Sequence, residues 1–453
     1  MLGFMRYRHR HGFFANHSTC RQAPEFISEY IASEQRAGRY SRAYSPDELE
    51  KVIGPFWTSP LGLVPKPHSN KFRMIQDLSY PRNEPNIASV NAGVNSDDFP
   101  TAWGKFEDVI NMILSLPRGC KAATFDISAA YCVTPILPSQ QAMLCIFWQG
   151  LVYVDRALMF GLASSAGVFG AIADMLVAIY AALGITLILK WVDDFLVIRR
   201  PNETWTEEEF MAKTAAIGVP WSKEKMRPFA TVQRYIGFDW DLDQKVVSLP
   251  TEKIVAAMEL LQLWSSEGAT FSMKEAASLH GKLVHVSSIF RLIRPFLPSI
   301  STFLKDFTSQ RARLHVPGHV KGDVKFMLDI IKVSPNSMPL GPCEPRDIGW
   351  WGDASTSFGI GIVIGSAWAV WCWKPGFSVG PGHPHDIGWA EAVAVEVGLR
   401  LLQKLQGLKP GPGGYLVRSD NMGVVTVVGK GRSRNSETNN ILKQIYRIQA
   451  SRI

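Results

Sequence analysis

The spacing of hydrophobic residues along the chain switches between a helical period and the alternation typical of strands. Helical spacing is found at 24–50, 103–119, 162–183 and 251–330, and hairpins are predicted at 59–78, 145–158, 185–198 and 234–249. At 120–136 a strand is predicted to turn into a short helix, with Asp126 at the transition. This mixture predicts an α+β protein with several domains.

A dense group of prolines predicts a break in the chain near residue 340. Four prolines lie within 334–345, as expected for a linker. Beyond it, strands are predicted within 348–373 and at 415–421, and helices at about 389–406 and from about 434. The predicted segments are a basic N-terminal segment 1–23, a large part 24–250, a mostly helical part 251–333, the linker 334–345 and a smaller αβ part 346–453.

Composition and charge narrow the class of protein. Hydrophobic residues make up 46% of the chain and charged residues 19%, which is typical of a folded globular protein. The net charge of +8 favours an anionic partner, and nucleic acid is the first candidate. The six cysteines include no CxxC pair, which favours reduced thiols in an intracellular protein over a zinc site or a disulfide framework.

One stretch, 157–189, is apolar enough to be compared with a membrane span. Asp174 divides it into uncharged halves, 157–173 and 175–189, each shorter than the roughly 20 residues needed to cross a bilayer. No aromatic belt flanks it, and the N-terminus lacks the apolar core of a signal peptide. We therefore expect a buried helix followed by a buried strand, and no membrane partner.

Three aspartates are predicted to meet at one edge of a sheet. Asp126 ends one apolar strand, and Asp193 and Asp194 lie at the turn of an apolar hairpin. Neighbouring carboxylates repel one another, and divalent cations relieve this repulsion. Two ions roughly 4 Å apart can activate a 3′-hydroxyl and stabilise a leaving pyrophosphate. The alternative is that the Asp-Asp pair merely begins a hairpin, because Asp favours turns.

The order of five motifs resembles that of the reverse transcriptases of retroelements. "FDISAAY", "MFGLASSAGVF", "KWVDDF", "GVPWSKEKM" and "YIGFDWD" are similar to motifs A to E, and "LVPKPHSNKFRMIQDL" resembles the fingers hairpin upstream of them. The resemblance implies a right-hand polymerase, with fingers and palm at 24–250 and thumb and connection at 251–333. It further implies DNA synthesis from dNTPs on an RNA template, and also on DNA, from a DNA primer.

The same resemblance implies roles for individual residues. Asp126, Asp193 and Asp194 match the ligands of Mg²⁺, for which Mn²⁺ is a possible substitute. The residues implied to contact the incoming nucleotide are Lys66, Arg73, Tyr131, Phe160, Gly161 and Lys225. Among them, Arg73 and Lys66 would bind phosphates, Tyr131 would exclude a ribose 2′-OH, and Lys225 would protonate pyrophosphate.

Some positions leave alternatives open or depart from the family pattern. Lys66 has the alternative of a solvated turn lysine, Tyr131 that of core packing, and Lys223 is a rival of Lys225. Trp191 stands where Tyr or Phe is usual in motif C. Phe160 stands where retroviral enzymes carry Gln, which implies altered contacts with the nucleotide.

A second set of acids, at the end of the chain, resembles the site of ribonuclease H. Asp353 ends a strand, Glu391 lies on a helix and Asp420 ends a later strand, an order that implies two-metal cleavage of the RNA in RNA–DNA hybrids. Glu396 is a rival that should face elsewhere on the helix. The family fold usually continues with another strand and a fourth acid, so we expect this domain to be truncated at its C-terminus.

Three further segments indicate the type of retroelement that the chain resembles. "YIASEQRAGRYS", "IGPFWTSPLGLVPKP" and "WWGDASTSFGIGI" are most similar to DIRS-type (tyrosine recombinase) retrotransposons of fungi, with gypsy-type elements as the nearest alternative. The resemblance implies an intracellular protein of the cytoplasm, the nucleus or both. The competing hypothesis is a decayed or domesticated element that binds nucleic acid without catalysis. The sequence does not indicate an oligomeric state.

Overall fold

The computed structural model describes residues 13–66, 71–82, 84, 87–405 and 413–451. The chain divides into two compact units, Met1–Gln233 and Arg234–Ile453. The five-segment division derived from the sequence stays a prediction.

The first unit contains the predicted helices and hairpins. Its helices are α1 (Pro24–Arg36), α2 (Pro46–Ile53), α3 (Phe106–Ser115), α4 (Pro138–Gln141), α5 (Ser165–Ala182) and α6 (Glu207–Ala212). Its strands are β1 (Leu61–Pro65), β2 (Phe72–Gln76), β3 (Lys121–Asp126), β4 (Cys145–Trp148), β5 (Leu151–Val154), β6 (Ile188–Trp191), β7 (Asp194–Arg199) and β8 (Arg227–Ala230). The helical segment 24–50 forms two helices, because Ser45 begins a new one with a capping box to Glu48.

A four-stranded sheet with the order β6–β7–β3–β8 forms the centre of this unit. Helix α5 packs a stripe at helical spacing, Phe169, Ala173, Leu176 and Tyr180, into the same hydrophobic core as the sheet. Among the described residues, α5 alone is long and apolar enough to cross a membrane. Seven of its 18 residues are buried, so one face of α5 packs into the core, whereas the sequence predicted a helix that is buried as a whole.

The second unit begins with a sheet and a group of helices. Its first strands are β9 (Val232–Tyr235), which crosses the unit boundary, β10 (Phe238–Asp241), β11 (Val246–Ser248), β12 (Thr270–Ser272), β13 (Arg313–His315) and β14 (Ser337–Pro339). Its first helices are α7 (Thr251–Ser265), α8 (Met273–Val286), α9 (Leu297–Phe303) and α10 (Gly318–Val333). Strand β14 lies inside the predicted linker and pairs with β11, so this Pro-rich segment is partly a strand.

The remainder of the second unit forms a smaller αβ layer. Its elements are β15 (Trp350–Ala354), β16 (Gly359–Ile364), β17 (Ala367–Cys372), α11 (Ile387–Lys404), α12 (Met422–Lys430) and α13 (Ser436–Ala450). The strand predicted at 415–421 was wrong in extent, since only Tyr415 pairs, in a single bridge with Arg346. Helix α12 was not predicted.

Helix α11 lies very close to the sheet because one of its residues has no side chain. A Cβ on Gly398 would lie 2.2 Å from the Trp350 ring, which is fully buried. We expect Gly398→Ala to destabilise the αβ layer by about 1–3 kcal/mol through overpacking. Hydrogen exchange of peptides from α11 and β15 measures this change.

The matched control is Gly281→Ala on helix α8, where a Cβ would meet open space. This change should leave the layer unaltered and stabilise α8 by about 0.5–1 kcal/mol. Equal exchange in the parent and Gly398→Ala would contradict the close packing.

Candidate active sites

The strand register of the central sheet brings the three motif aspartates to one edge. Asp126 lies opposite Asp194 in the antiparallel pair of β3 and β7. Asp193 lies in the two-residue turn between β6 and β7, and its carbonyl accepts a hydrogen bond from the Ile127 amide at 3.1 Å. The structure therefore brings together the residues that the sequence singled out as metal ligands.

The turn that presents the aspartates is strained. Val192, its first residue, has a φ of 53°, a left-handed conformation that β-branched residues rarely adopt. Such a conformation costs on the order of 1–3 kcal/mol and persists only where the surrounding structure fixes it. Here the buried strands on both sides fix it, because Phe195 pairs with both Lys190 and Phe125.

Two of the three carboxylates carry an electrostatic penalty. Loss of water around the carboxylate, followed by repulsion from Asp193 and Asp126, raises the pKa of Asp194 to about 6. Loss of water and repulsion from Asp126 also raise the pKa of Asp193. A cation opposes this penalty: Lys225 Nζ lies 2.8 Å from Asp126 Oδ1 and 3.0 Å from Oδ2. The site is therefore built to hold positive charge.

A cavity of about 700 Å³ contains four of the residues predicted to bind the nucleotide. They are Lys66, Arg73, Phe160 and Gly161. Lys66 closes the β1–β2 hairpin through a backbone hydrogen bond to the Lys71 carbonyl, while the turn at 67–70 lies outside the described residues. Lys71, Arg82 and Asp77 also line the cavity, and although Asp77 pairs with Arg82 at 2.7 Å, cations outnumber acids on its wall.

Tyr131 lies in a short 3-10 helix, Ala130–Val133, which begins four residues after Asp126. Its ring centroid is 4.7 Å from that of Phe160 and 5.8 Å from that of Phe169. The ring thus contacts both a lining residue of the cavity and the core. This position is compatible with a gate for the sugar and with the alternative of core packing.

Asn91 fixes the loop that carries Phe160. Asn91 was not identified as a functional residue from the sequence. Its Nδ2 donates to the Gly161 carbonyl at 2.8 Å, and its Oδ1 accepts from the Ala163 amide at 2.9 Å. Gly161 has a φ of 93°, and a Cβ there would lie 3.3 Å from the Gln76 carbonyl. No local pattern signals Asn91, because its partners are about 70 residues away in the chain.

The second unit holds a tighter cluster of acids. Asp353 on β15, Glu391 on α11 and Asp420 just before α12 each offer a carboxylate oxygen, and these oxygens all lie within 4.8 Å of one another. Within the described ranges, no other set of acidic, histidine or cysteine side chains is this compact. Three hard oxygen ligands at this spacing fit a divalent cation such as Mg²⁺ or Mn²⁺.

Glu391 is the buried member of this cluster, with only 4% of its surface exposed. Burial and a hydrogen bond with Asp353 raise its pKa to about 7. The Ala354 amide donates to Asp353 Oδ1 at 2.8 Å and to Glu391 Oε1 at 3.3 Å, which holds the two carboxyl groups together. The rival acid, Glu396, is instead paired with Arg400 at 2.8 Å.

No protein-family model and no curated protein sequence matches the chain. Solved structures do match. One, a foamy viral protease-reverse transcriptase in complex with RNA/DNA hybrid, has a TM-score of 0.51 at 15% identity over 95% of this chain. A second, the foamy viral protein in complex with dsDNA, has a TM-score of 0.50 at 17% identity over 89% of this chain.

The fold of the chain is similar to that of these reverse transcriptases. This confirms the predicted α+β class, while the division into polymerase and ribonuclease H-like domains stays a prediction. The chain spans 53% of the length of the hybrid-bound protein and 74% of the dsDNA-bound one. At these identities the likeness concerns the fold, and the chemistry depends on the side chains described above.

The raised pKa of Glu391 predicts a pH-dependent stability in the absence of metal. Between its ordinary value of 4.5 and about 7, the folded state holds a proton that the unfolded state has lost. The stabilisation is therefore complete below pH 4.5 and is lost as the pH rises through 7, by up to about 3 kcal/mol. Glu391→Gln should remove this dependence, because its amide cannot ionise.

Urea unfolding in EDTA at pH 5 and pH 8, followed by circular dichroism, measures the effect. The control is Glu396→Gln, which removes an acid from the same helix and should keep the parent's pH dependence. An identical pH dependence in the parent and Glu391→Gln would contradict the assignment.

Proposed function

We propose that the first unit is an RNA-directed DNA polymerase, able to use DNA templates as well, that extends a DNA primer with dNTPs. The observation that carries this proposal is the β3–β7 register, which sets Asp126 opposite Asp194 with Asp193 in the adjoining turn. When bound there, Mg²⁺ or Mn²⁺ would activate the primer hydroxyl and stabilise the leaving pyrophosphate. The likeness to proteins solved with RNA/DNA hybrid and dsDNA supports nucleic acid as the partner.

The cation-rich cavity supports a role in binding the triphosphate. Arg73 would form a bidentate contact with phosphate oxygens, and Lys66 would add a point charge at the end of the same hairpin. Both side chains are exposed at the cavity wall, as a ligand site requires. Phe160 and Gly161 would present an apolar surface and a close backbone to the nucleotide.

For the second unit we propose ribonuclease H activity on RNA–DNA hybrids. Asp353, Glu391 and Asp420 would hold the divalent cation, which would activate the attacking water. Their compact spacing supports this proposal, as does the placement of Glu396 in an ion pair elsewhere on the helix. We further propose that the chain is a retrotransposon protein. The sequence predicts that the retrotransposon is of the DIRS type and that the protein is intracellular.

Two substitutions separate the proposed activities. We expect Asp193→Asn to abolish primer extension on an RNA template while hybrid cleavage persists, since only the first metal site is damaged. Asp353→Asn should have the reverse effect. Extension of a labelled primer and release of fragments from a labelled hybrid, both with Mg²⁺ and with Mn²⁺, measure the two reactions in the full chain.

The same two assays on the parent protein distinguish catalysis from the alternative of a decayed element that only binds nucleic acid. A folded parent that binds template and hybrid but performs neither reaction would favour a nucleic-acid-binding remnant. Extension without cleavage would restrict the proposal to the polymerase.

Tyr131 offers a test of sugar selection. We expect Tyr131→Ala to raise the ratio of rNTP to dNTP incorporation about tenfold to hundredfold, since it removes the ring that would meet a 2′-OH. Single-nucleotide incorporation kinetics measure the ratio. Tyr131→Phe keeps the ring and is the control, which should behave as the parent. If Tyr131→Ala altered stability and not the ratio, core packing would be the role of this residue.

A further inference from the structure

The contact between Lys225 and Asp126 joins residues 99 positions apart in the chain. The lysine side chain is 63% exposed, whereas that of the aspartate is 9% exposed. The turn that carries Lys225 is fixed beside the strand, because the Ser222 amide donates to the Asp126 carbonyl at 2.8 Å. The ammonium thus reaches the inner carboxylate from a turn that the backbone already holds in place.

Both oxygens of Asp126 are used by this contact. A metal ion bound to the same carboxylate would lie within a few ångströms of the ammonium, and two cations at that distance repel strongly in a partly buried site. The lysine and the metal ion therefore compete for one ligand.

The two acid clusters of the chain differ in how closely their carboxylate oxygens lie together, and this difference agrees with competition between a lysine and a metal ion. The oxygens of Asp353, Glu391 and Asp420 all lie within 4.8 Å of one another, and no lysine among the described residues is paired with them. The aspartates of the first unit are neighbours in the sheet, but their oxygens do not form such a group among the described residues. In the first unit, therefore, one carboxylate is paired with Lys225 and the carboxylates are less compactly grouped than those of the second unit.

We propose that Lys225 is an internal counterion that occupies Asp126 until a divalent cation displaces it. This inference rests on the proposed polymerase site and adds a coupling to it: metal binding and release of the lysine side chain are one event. The cost of release is partly offset, since an exposed lysine on a flexible stem regains solvent and conformational freedom. The freed ammonium is then available to the phosphates of the nucleotide.

Binding of Mn²⁺, measured by the electron paramagnetic resonance of the free ion, tests the competition without relying on catalysis. The full chain carries Asp353→Asn and Asp420→Asn to silence the second cluster. In this background we expect Lys225→Gln to bind Mn²⁺ about tenfold more tightly than the parent, within the usual range of coupling between two sites. Lys225→Arg keeps the charge and should retain weak binding.

The matched control is Lys223→Gln, which removes the same charge from an exposed position on the same turn. It should change the affinity less than about twofold if direct competition, and not the net charge, sets the effect. Equal affinities of Lys225→Gln and Lys223→Gln would overturn the inference and leave the metal site intact. Absence of Mn²⁺ binding in all variants, with Asp126→Asn as the reference, would overturn the proposed polymerase site as well.

Discussion

Repulsion among carboxylates at the edge of the central sheet is the constraint on which the first unit depends. The apolar strands β3 and β7 are buried on both faces, so their register is strongly specified, because a slip of one residue would move every side chain to the opposite face of the sheet. The same register sets Asp126 beside Asp194. Hydrophobic packing therefore enforces an arrangement that electrostatics opposes, and the strained Val192 turn completes it.

The two units reduce the same kind of repulsion by different means. In the first, a lysine ammonium pairs with the inner aspartate. In the second, burial beside Asp353 raises the pKa of Glu391 to about 7, so that a proton reduces the negative charge near neutral pH. A proton takes no space and lets the carboxyl groups approach closely, whereas a lysine side chain keeps its partner engaged.

The sequence predicted what depends on local patterns and failed where distant partners decide. The hairpin of β6 and β7 and helix α5 followed from runs of apolar residues, and the convergence of the aspartates followed from treating β3 and β7 as neighbours. Strand β14 could not be found, because its prolines signal a loop and only pairing with β11 makes it a strand. The Lys225 pairing and the role of Asn91 were equally hidden, since their partners are distant in the chain.

A fold shared at 15–17% identity limits what the fold itself can say about chemistry. Backbone ladders and hydrophobic periodicity tolerate extensive substitution, so a sheet and its helices persist when most side chains have changed. A metal site does not tolerate it, because each ligand must be an oxygen at the correct position. The case for the proposed reactions therefore depends on the side chains: the register of one sheet sets Asp126 opposite Asp194, and the carboxylate oxygens of Asp353, Glu391 and Asp420 lie within 4.8 Å of one another.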